Sequence, residues 1–209
     1  KVHNQIELNN LFIQNDIKTK SFLVIGNLSN TLIKDEGFKG IGIKLVGDFT
    51  DVQVNSDHML VGAAVLDNYL SKFCYQKSIT GYEFLFTIPG SIGGNIFMNA
   101  GCYNQEIKDK LISVIYYDTN QNKIFEKNIS ELQFDYRKGF QKNNTIILYG
   151  KFKITYKDQD YIKSLMKEYD IIRKQSQPQK VNCCGSIFKN PQNQSAWRLI
   201  KSSIDESFY

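Results

Sequence analysis

Two hydrophobic periods alternate along this chain. Residues 21–26, SFLVIG, form a short apolar run ending in glycine, the pattern of a buried strand running into a turn. In residues 41–46, IGIKLV, the alternation of Ile41, Ile43 and Leu45 predicts a strand with one buried face. A third strand, interrupted at Gly62, is expected over 59–65. From Val65 to Lys77 the spacing becomes helical. Val65 pairs with Tyr69 and Phe73, and Leu66 with Leu70 and Cys74, which predicts an amphipathic helix. Residues 111–117 and 123–129 flank the turn DTNQN and read as a β-hairpin. Residues 145–156 predict a long strand, with Phe152, Ile154 and Tyr156 alternating against Lys151 and Lys153. Asp158 or Asp160 then caps a helix to about Lys174, with Ile162, Leu165, Met166, Tyr169 and Ile172 on its inner face. Residues 1–20 are polar and weakly patterned, and residues 81–101 are Gly-rich without a clear period. The order does not repeat as strand–helix–strand units, so the expected class is α+β rather than a doubly wound sheet.

The chain has 209 residues, enough for a substantial core and for one large or two small domains. With 42% hydrophobic and 22% charged residues it is neither a disordered chain nor a membrane protein, and no window approaches the roughly 18 consecutive apolar residues of a spanning helix. The chain opens at Lys1 without a secretory pattern, so export is not expected. The net charge of +5 is scattered, without a basic block or interleaved aromatic and basic residues. That suits a surface meeting phosphorylated small molecules better than one binding nucleic acid. The four cysteines form no CxxC pair, and His3 and His58 lie near none of them, so reduced thiols and no metal site are expected.

Four segments could carry chemistry. The turn Gly26, Asn27, Leu28, Ser29, Asn30 follows a buried strand and could aim amides at a phosphate, although on that segment alone an ordinary turn is the better reading. The run 81–103 is the stronger signal. In it Pro89, Gly90, Ser91, Ile92, Gly93 and Gly94 make a loop whose glycines allow positive φ, close ligand approach and an anion nest. It matches neither GxxxxGK[ST] nor GxGxxG, which points to a nucleotide cofactor held by another fold. In FDYRKGF, Tyr136 and Arg137 stand on an expected strand or its end, and Arg137 offers a planar fork for a carboxylate or phosphate. In GSIFKNP, Ser186, Lys189 and Asn190 supply a hydroxyl, a cation and an amide, but GxSxG is absent, so a hydrolytic Ser is not expected, while a Ser acting as proton donor is allowed. Cys183 and Cys184 beside it read as small, semi-buried fillers.

Taken together, GNLSNTLIKDEGFKG, GYEFLFTIPGSIGGNIFMNAGCYNQEIKD, FDYR and RKQSQPQKVNCCGSIFKNP resemble the UDP-N-acetylenolpyruvoylglucosamine reductase (MurB) family, over about residues 20–201. All three prolines, Pro89, Pro178 and Pro191, fall in these segments. The resemblance implies a two-lobed FAD-binding domain of the vanillyl-alcohol-oxidase (PCMH) type and part of a C-terminal substrate-binding α+β domain. It implies lobes at 1–48 and 49–157 and a substrate-side portion at 158–209. It also implies NADPH-driven reduction of the enolpyruvyl ether of UDP-N-acetylglucosamine to UDP-N-acetylmuramate, for peptidoglycan, by hydride delivery from the flavin and protonation of an enol-like intermediate. By the same resemblance Ser186 is the proton donor, and Arg137 steadies the substrate carboxylate. Tyr136, Lys189 and Asn190 face substrate. The 26–30 turn and the 89–94 loop, with Asn99 and Gly101, hold FAD. A cytoplasmic monomer is expected, with a UDP-sugar as its partner and neither nucleic acid nor membrane.

The chain departs from the family pattern at several points. Asn27 and Leu28 stand where small residues are common, and a positive φ at Leu28 would cost energy. Ser176 stands where Lys is common, and Lys138-Gly139 follow Arg137 where Ser is often seen. No TxxxGG-type turn precedes residue 20, and Glu206 lies outside any EPEV-like context, so the chain reads as short at both ends. Two other readings stay open: another FAD-dependent oxidoreductase of the same fold, and a non-catalytic flavin- or nucleotide-binding module.

Overall fold

A computed structural model describes residues 1–13, 17, 20–177 and 186–204. Pro178, Cys183, Cys184, Gly185 and Glu206, singled out above, lie outside the described residues. The chain opens with helix α1 (Gln5–Ile13), which the weak patterning of its sequence does not announce, because only Leu8 and Phe12 are buried along it. Strands β1 (Phe22–Val24) and β2 (Ile41–Ile43) pair in parallel, with Leu23 opposite Gly42. The Phe12 ring meets Phe22 edge-on at 5.4 Å and Tyr117 at 5.6 Å, and the Tyr117 hydroxyl donates to Asn9 Oδ1 at 3.1 Å. Helix α1 therefore fastens the small sheet to the larger one.

The rest of the frame comes in chain order. Strands β3 (Val52–Val54) and β4 (His58–Gly62) lead to helix α2 (Asp67–Gln76). A 3-10 turn over Glu83–Thr87 precedes the short helix α3 (Ile92–Met98). The small hairpin β5 (Gly101–Cys102) and β6 (Gln105–Glu106) follows, then β7 (Leu111–Asp118), β8 (Lys123–Asn128) and β9 (Thr145–Lys153). Helices α4 (Gln159–Ser176) and α5 (Ala196–Ser203) complete the described chain. Strands β3, β4, β9, β7 and β8, in that order, make one five-stranded sheet with antiparallel neighbours. The expected hairpin at 111–129 is present, and Asp118 shapes its turn by accepting the Asn120 and Gln121 amides at 3.1 and 3.2 Å.

The core lies where β4, β9 and β7 meet. Phe152 of β9 stands between Met59 and Leu111, and all three are sealed from solvent. Tyr82 packs edge-on against Phe152 at 6.1 Å, and its hydroxyl donates to the Lys153 carbonyl at 2.6 Å.

Two helices bury faces narrower than their apolar spacing implies. In α2 the buried residues are Asp67, Leu70, Ser71 and Cys74, while Leu66 and Tyr69 are exposed. Its two apolar rows are buried unevenly: Val65, Leu70 and Cys74 are enclosed and Phe73 packs partly on the core, while Leu66 and Tyr69 face solvent. In α4, capped by the Asp158 carboxylate accepting the Tyr161 amide at 2.8 Å, Ile162, Met166 and Tyr169 are buried. Ile172, one turn later, is exposed. Helix α4 rests on α2 and on the Glu83–Thr87 turn, and Tyr169 stacks on Tyr103 with ring centres 4.2 Å apart. No helix among the described residues is long and apolar enough to cross a membrane.

Because Phe152 is fully enclosed, Phe152→Ala should lower unfolding free energy by about 3–5 kcal/mol, measured by chemical denaturation. A loss within the range of ordinary surface substitutions would contradict this placement of the core.

Candidate functional site

The two phosphate-loop candidates meet at a seam. The Asn27 side chain donates to the Pro89 carbonyl at 3.4 Å. A β-carbon on Gly26 would stand 2.8 Å from Ser91 Oγ, so the two turns approach closely there and a larger residue would make the Ser91 hydroxyl shift. Leu28 has φ 55° and is exposed, so this turn keeps a left-handed residue even with leucine in place of a small side chain. Ser29 is half-buried and Asn30 exposed beside it.

The Pro89–Gly94 loop works differently from the expected nest. Gly90, Gly93 and Gly94 are not among the residues with positive φ. The Ile92 amide donates to the Val65 carbonyl at 3.0 Å and the Gly93 amide to the Ala63 carbonyl at 2.8 Å. Those two donors are committed to the strand–helix connection rather than to an anion. The glycines serve close packing instead: a β-carbon on Gly93 would crowd Ala63, and one on Gly90 would strike the Asp67 carboxyl. Over Gly94 there is room, the nearest atom being Ser91 Oγ at 3.7 Å. Among the described residues, the Ser91 amide has no carbonyl partner. Together with the polar side chains of Ser29 and Asn30 it leaves a donor set at the seam that fits a dinucleotide's phosphates. Ile92 and Asn99, expected to touch the cofactor, are instead sealed from solvent.

Beneath this loop lies a pair that the sequence reading did not single out. Asp67 is fully buried and accepts from Asn95 Nδ2 at 2.7 Å, while its second oxygen has no partner among the described residues. Burial pushes its carboxyl well above the usual range, against the opposing pull of the Asn95 bond and the bond at Gly90. An aspartate at the start of a helix reads as a capping residue, which is why sequence alone hides this role.

Tyr136 and Arg137 lie at the tip of a tight turn, not on a strand. The Asp135 amide donates to the Lys138 carbonyl at 2.8 Å and the Lys138 amide to the Asp135 carbonyl at 2.9 Å. Arg137 has φ 56°, and its guanidinium donates to the Gly101 carbonyl at 2.9 Å while lying 5.0 Å from the Tyr136 ring centre. Gly101 thus holds the arginine rather than presenting a surface of its own. Cys102 beside it is largely enclosed, and burial raises its thiol to about 11, so it is unreactive at neutral pH.

Tyr136 also faces a groove of about 1120 Å³ whose lining includes Asp135, Asn190, Ser195 and Arg198. Asn190 and Tyr136 are therefore brought together. The Asn190 side-chain oxygen accepts the Ala196 amide at 3.0 Å, so this residue also fixes the start of α5. Ser186 and Lys189 are exposed, and no hydrogen bond among the described residues joins Ser186 to Arg137. Arg198 is a groove cation that the sequence reading missed. Its one signal is its position two residues inside the helix after GSIFKNP.

The frame of a parallel two-stranded unit, an antiparallel five-stranded sheet and paired glycine turns belongs, by its family match, to a flavin-adenine-dinucleotide-binding protein. Residues 7–120 match the FAD binding domain family. The chain is 39% identical over 198 residues to the UDP-N-acetylenolpyruvoylglucosamine reductase of Pelagibacter ubique, covering 93% of this chain and 65% of that one. The crystal structure of UDP-N-acetylenolpyruvylglucosamine reductase (MurB) from Thermus caldophilus superposes with a TM-score of 0.85 at 32% identity, over 97% of this chain and 71% of that one. Reconstituted CO dehydrogenase from Oligotropha carboxidovorans shares the fold alone, with a TM-score of 0.55 at 10% identity over 74% of this chain and 58% of that one. The chain belongs to the UDP-N-acetylenolpyruvoylglucosamine reductase family, with an FAD-binding fold of the vanillyl-alcohol-oxidase (PCMH) type. It spans about 65% of the length of the curated relatives it matches.

Leu28→Gly should raise stability by about 0.5–1 kcal/mol, the left-handed leucine's cost less the extra backbone entropy of glycine. Denaturant titration checks this, and a loss of stability would contradict the strained turn. Asp67 gives a pH signature. In the unfolded chain its carboxyl ionises near pH ~4, whereas the folded chain keeps the proton to higher pH. Above that pH the folded state binds the extra proton, so this group's contribution to stability falls as pH rises, until the folded carboxyl itself ionises. Asp67→Asn should therefore melt progressively higher than the parent from pH 4 to pH 8. A constant difference would mean that Asp67 is ionised when folded.

Proposed function

We propose that this chain carries the FAD-binding lobes and part of the substrate-binding portion of an NADPH-dependent flavoprotein reductase. Its reaction converts UDP-N-acetylglucosamine enolpyruvate to UDP-N-acetylmuramate in peptidoglycan synthesis. The observation that carries this reading is the fastening of the Tyr136–Arg137 turn to the far end of α3, whose first turn closes the glycine loop. A group bound at the loop and a substrate carboxylate at Arg137 would then be placed by one rigid element. The proposed division is lobes at 1–48 and 49–157, with 158–209 entering the substrate-binding portion and α4 packed back on the second lobe.

In this reading Gly26–Asn30 and Pro89–Gly94 hold the FAD phosphates, and Ile92, buried at the start of α3, acts through the shape of the loop, whereas Asn99 stands at the opposite end of that helix, away from the loop. FAD, when bound, supplies the hydride-donating centre that NADPH recharges. Arg137 has five N–H donors, of which the Gly101 carbonyl engages one nitrogen. The remainder of its fork takes the substrate carboxylate and stabilises the negative charge that grows as the enol ether is reduced. That interaction strengthens toward the transition state, so it speeds the reaction rather than only binding substrate. Ser186 then gives its hydroxyl proton to the carbanionic carbon. Tyr136, Lys189 and Asn190 orient the UDP-sugar. The scattered +5 charge suits three phosphorylated partners. A cytoplasmic monomer is part of the same reading. No feature of the described residues favours the non-catalytic alternative.

The full-length protein should be yellow and oxidise NADPH only when the enolpyruvyl substrate is present. Bound FAD without that dependence would overturn the reductase assignment. Ser186→Ala should leave flavin reduction by NADPH intact and abolish product. Arg137→Ala should lower kcat/KM by on the order of 10²–10³, the loss typical of a removed charge-stabilising donor.

A further inference from the structure

Arg137 sits in a backbone conformation that most L residues avoid, with φ 56°. A left-handed non-glycine residue is strained, and persists where the surroundings fix it. Here the fixing comes mainly from one adjacent stretch, residues 99–101. Asn99 Nδ2 donates to the Asp135 carbonyl at 2.9 Å, at the base of the turn. The Gly101 carbonyl accepts from the Arg137 guanidinium at 2.9 Å, at its tip. A three-residue stretch thus grips the turn at both its backbone and its working side chain.

Asn99 is itself well constrained. It ends α3 in the left-handed region, at φ 47° and ψ 55°, and is wholly buried. Its side-chain oxygen accepts the Lys108 amide at 3.3 Å. Donor and acceptor are therefore both assigned: a flipped amide would set oxygen against the Asp135 carbonyl and N–H against the Lys108 amide. Past the arginine, the Gly139 and Phe140 amides donate to the Phe97 and Ile96 carbonyls at 3.1 and 3.0 Å. A β-carbon at Gly139 would lie 2.7 Å from the Asn99 amide nitrogen, so turn and helix end are in direct backbone contact.

We propose that Asn99 is a positioning residue for Arg137: its side-chain amide fixes the base of the turn from which the guanidinium reaches substrate. This deepens the reductase reading and rests on it for the role of Arg137. In this proposal Asn99, buried at the far end of α3, acts through the turn and not by contact with cofactor or substrate.

The test uses two variants of the flavin-loaded, full-length protein. Asn99→Gly keeps the left-handed helix end and removes the side chain. Asn99→Asp keeps the size and the acceptor for Lys108 but turns an oxygen toward the Asp135 carbonyl. Three quantities are read: flavin reduction by NADPH, reoxidation of the reduced flavin by the enolpyruvyl substrate, and hydrogen exchange at the Lys138 amide. Both variants should slow the substrate-driven step by about 10–100-fold, the scale expected when a reacting group is misplaced by around an ångström. NADPH-driven reduction should keep the parent rate, and Lys138 should exchange faster. Parent-like substrate-driven rates, parent-like exchange at Lys138, or an equal loss in both half-reactions would each overturn the proposal. If the parent protein itself shows no substrate-driven reoxidation, the reductase reading fails, and exchange at Lys138 alone decides whether Asn99 holds the turn.

Discussion

Two backbone hydrogen bonds, from the Ile92 and Gly93 amides to the Val65 and Ala63 carbonyls, set where the short helix Ile92–Met98 begins. Much of the site hangs on that helix. Its start closes the glycine loop and brings Ser91 against Gly26, while Asn95, one turn in, reaches the buried Asp67. Its end supplies the Ile96 and Phe97 carbonyls and the Asn99 amide that carry the Tyr136–Arg137 turn. A seven-residue helix has little stability of its own. It is kept by burial of Ile92 and Ile96 against the core and by these bonds at both ends. Cofactor loop and arginine turn are therefore not independent features, and displacing the helix would move both.

The glycines follow from this arrangement. Gly93 lets the helix start against Ala63, Gly90 lets the loop lie on the Asp67 carboxyl, and Gly139 lets the arginine turn lie on the helix end. They are demanded by close approach rather than by unusual φ, whereas Leu28 and Arg137 take left-handed φ without being glycine. At the site, Leu28 and Arg137 carry this strain in the two turns, and the buried Asn99 carries it, beside the space-saving glycines, beneath them. Such strain persists where surrounding packing holds a site in one geometry.

Much of the frame was legible in the chain. The hairpin at 111–129, the long strand expected over 145–156, which stops at Lys153, and the helix expected to be capped at Asp158 or Asp160, which Asp158 caps, follow from period and capping chemistry, which are local. Helix α1 and strand β3 were not legible, because α1 buries only Leu8 and Phe12 and β3 is a three-residue edge strand. The FDYRKGF segment, expected on a strand or its end, is a tight turn. Its turn is set by Asn99 and the helix end, more than thirty residues away in sequence.

Sequence alone determined the α+β class, the two glycine turns, the Tyr136–Arg137 pair and the family, since these rest on residue type and local spacing. Tertiary structure decided which donors remain available. The Ile92 and Gly93 amides are taken by the Val65 and Ala63 carbonyls, Asn99 turns inward to the arginine turn, and burial raises the pKa of the Asp67 carboxyl under the loop. The physical reason is that a hydrogen-bonding group's role depends on what lies opposite it. In this chain the partners of Gly93, Asn95 and Asn99 come from segments about thirty residues away, brought together only when the sheet and its helices pack.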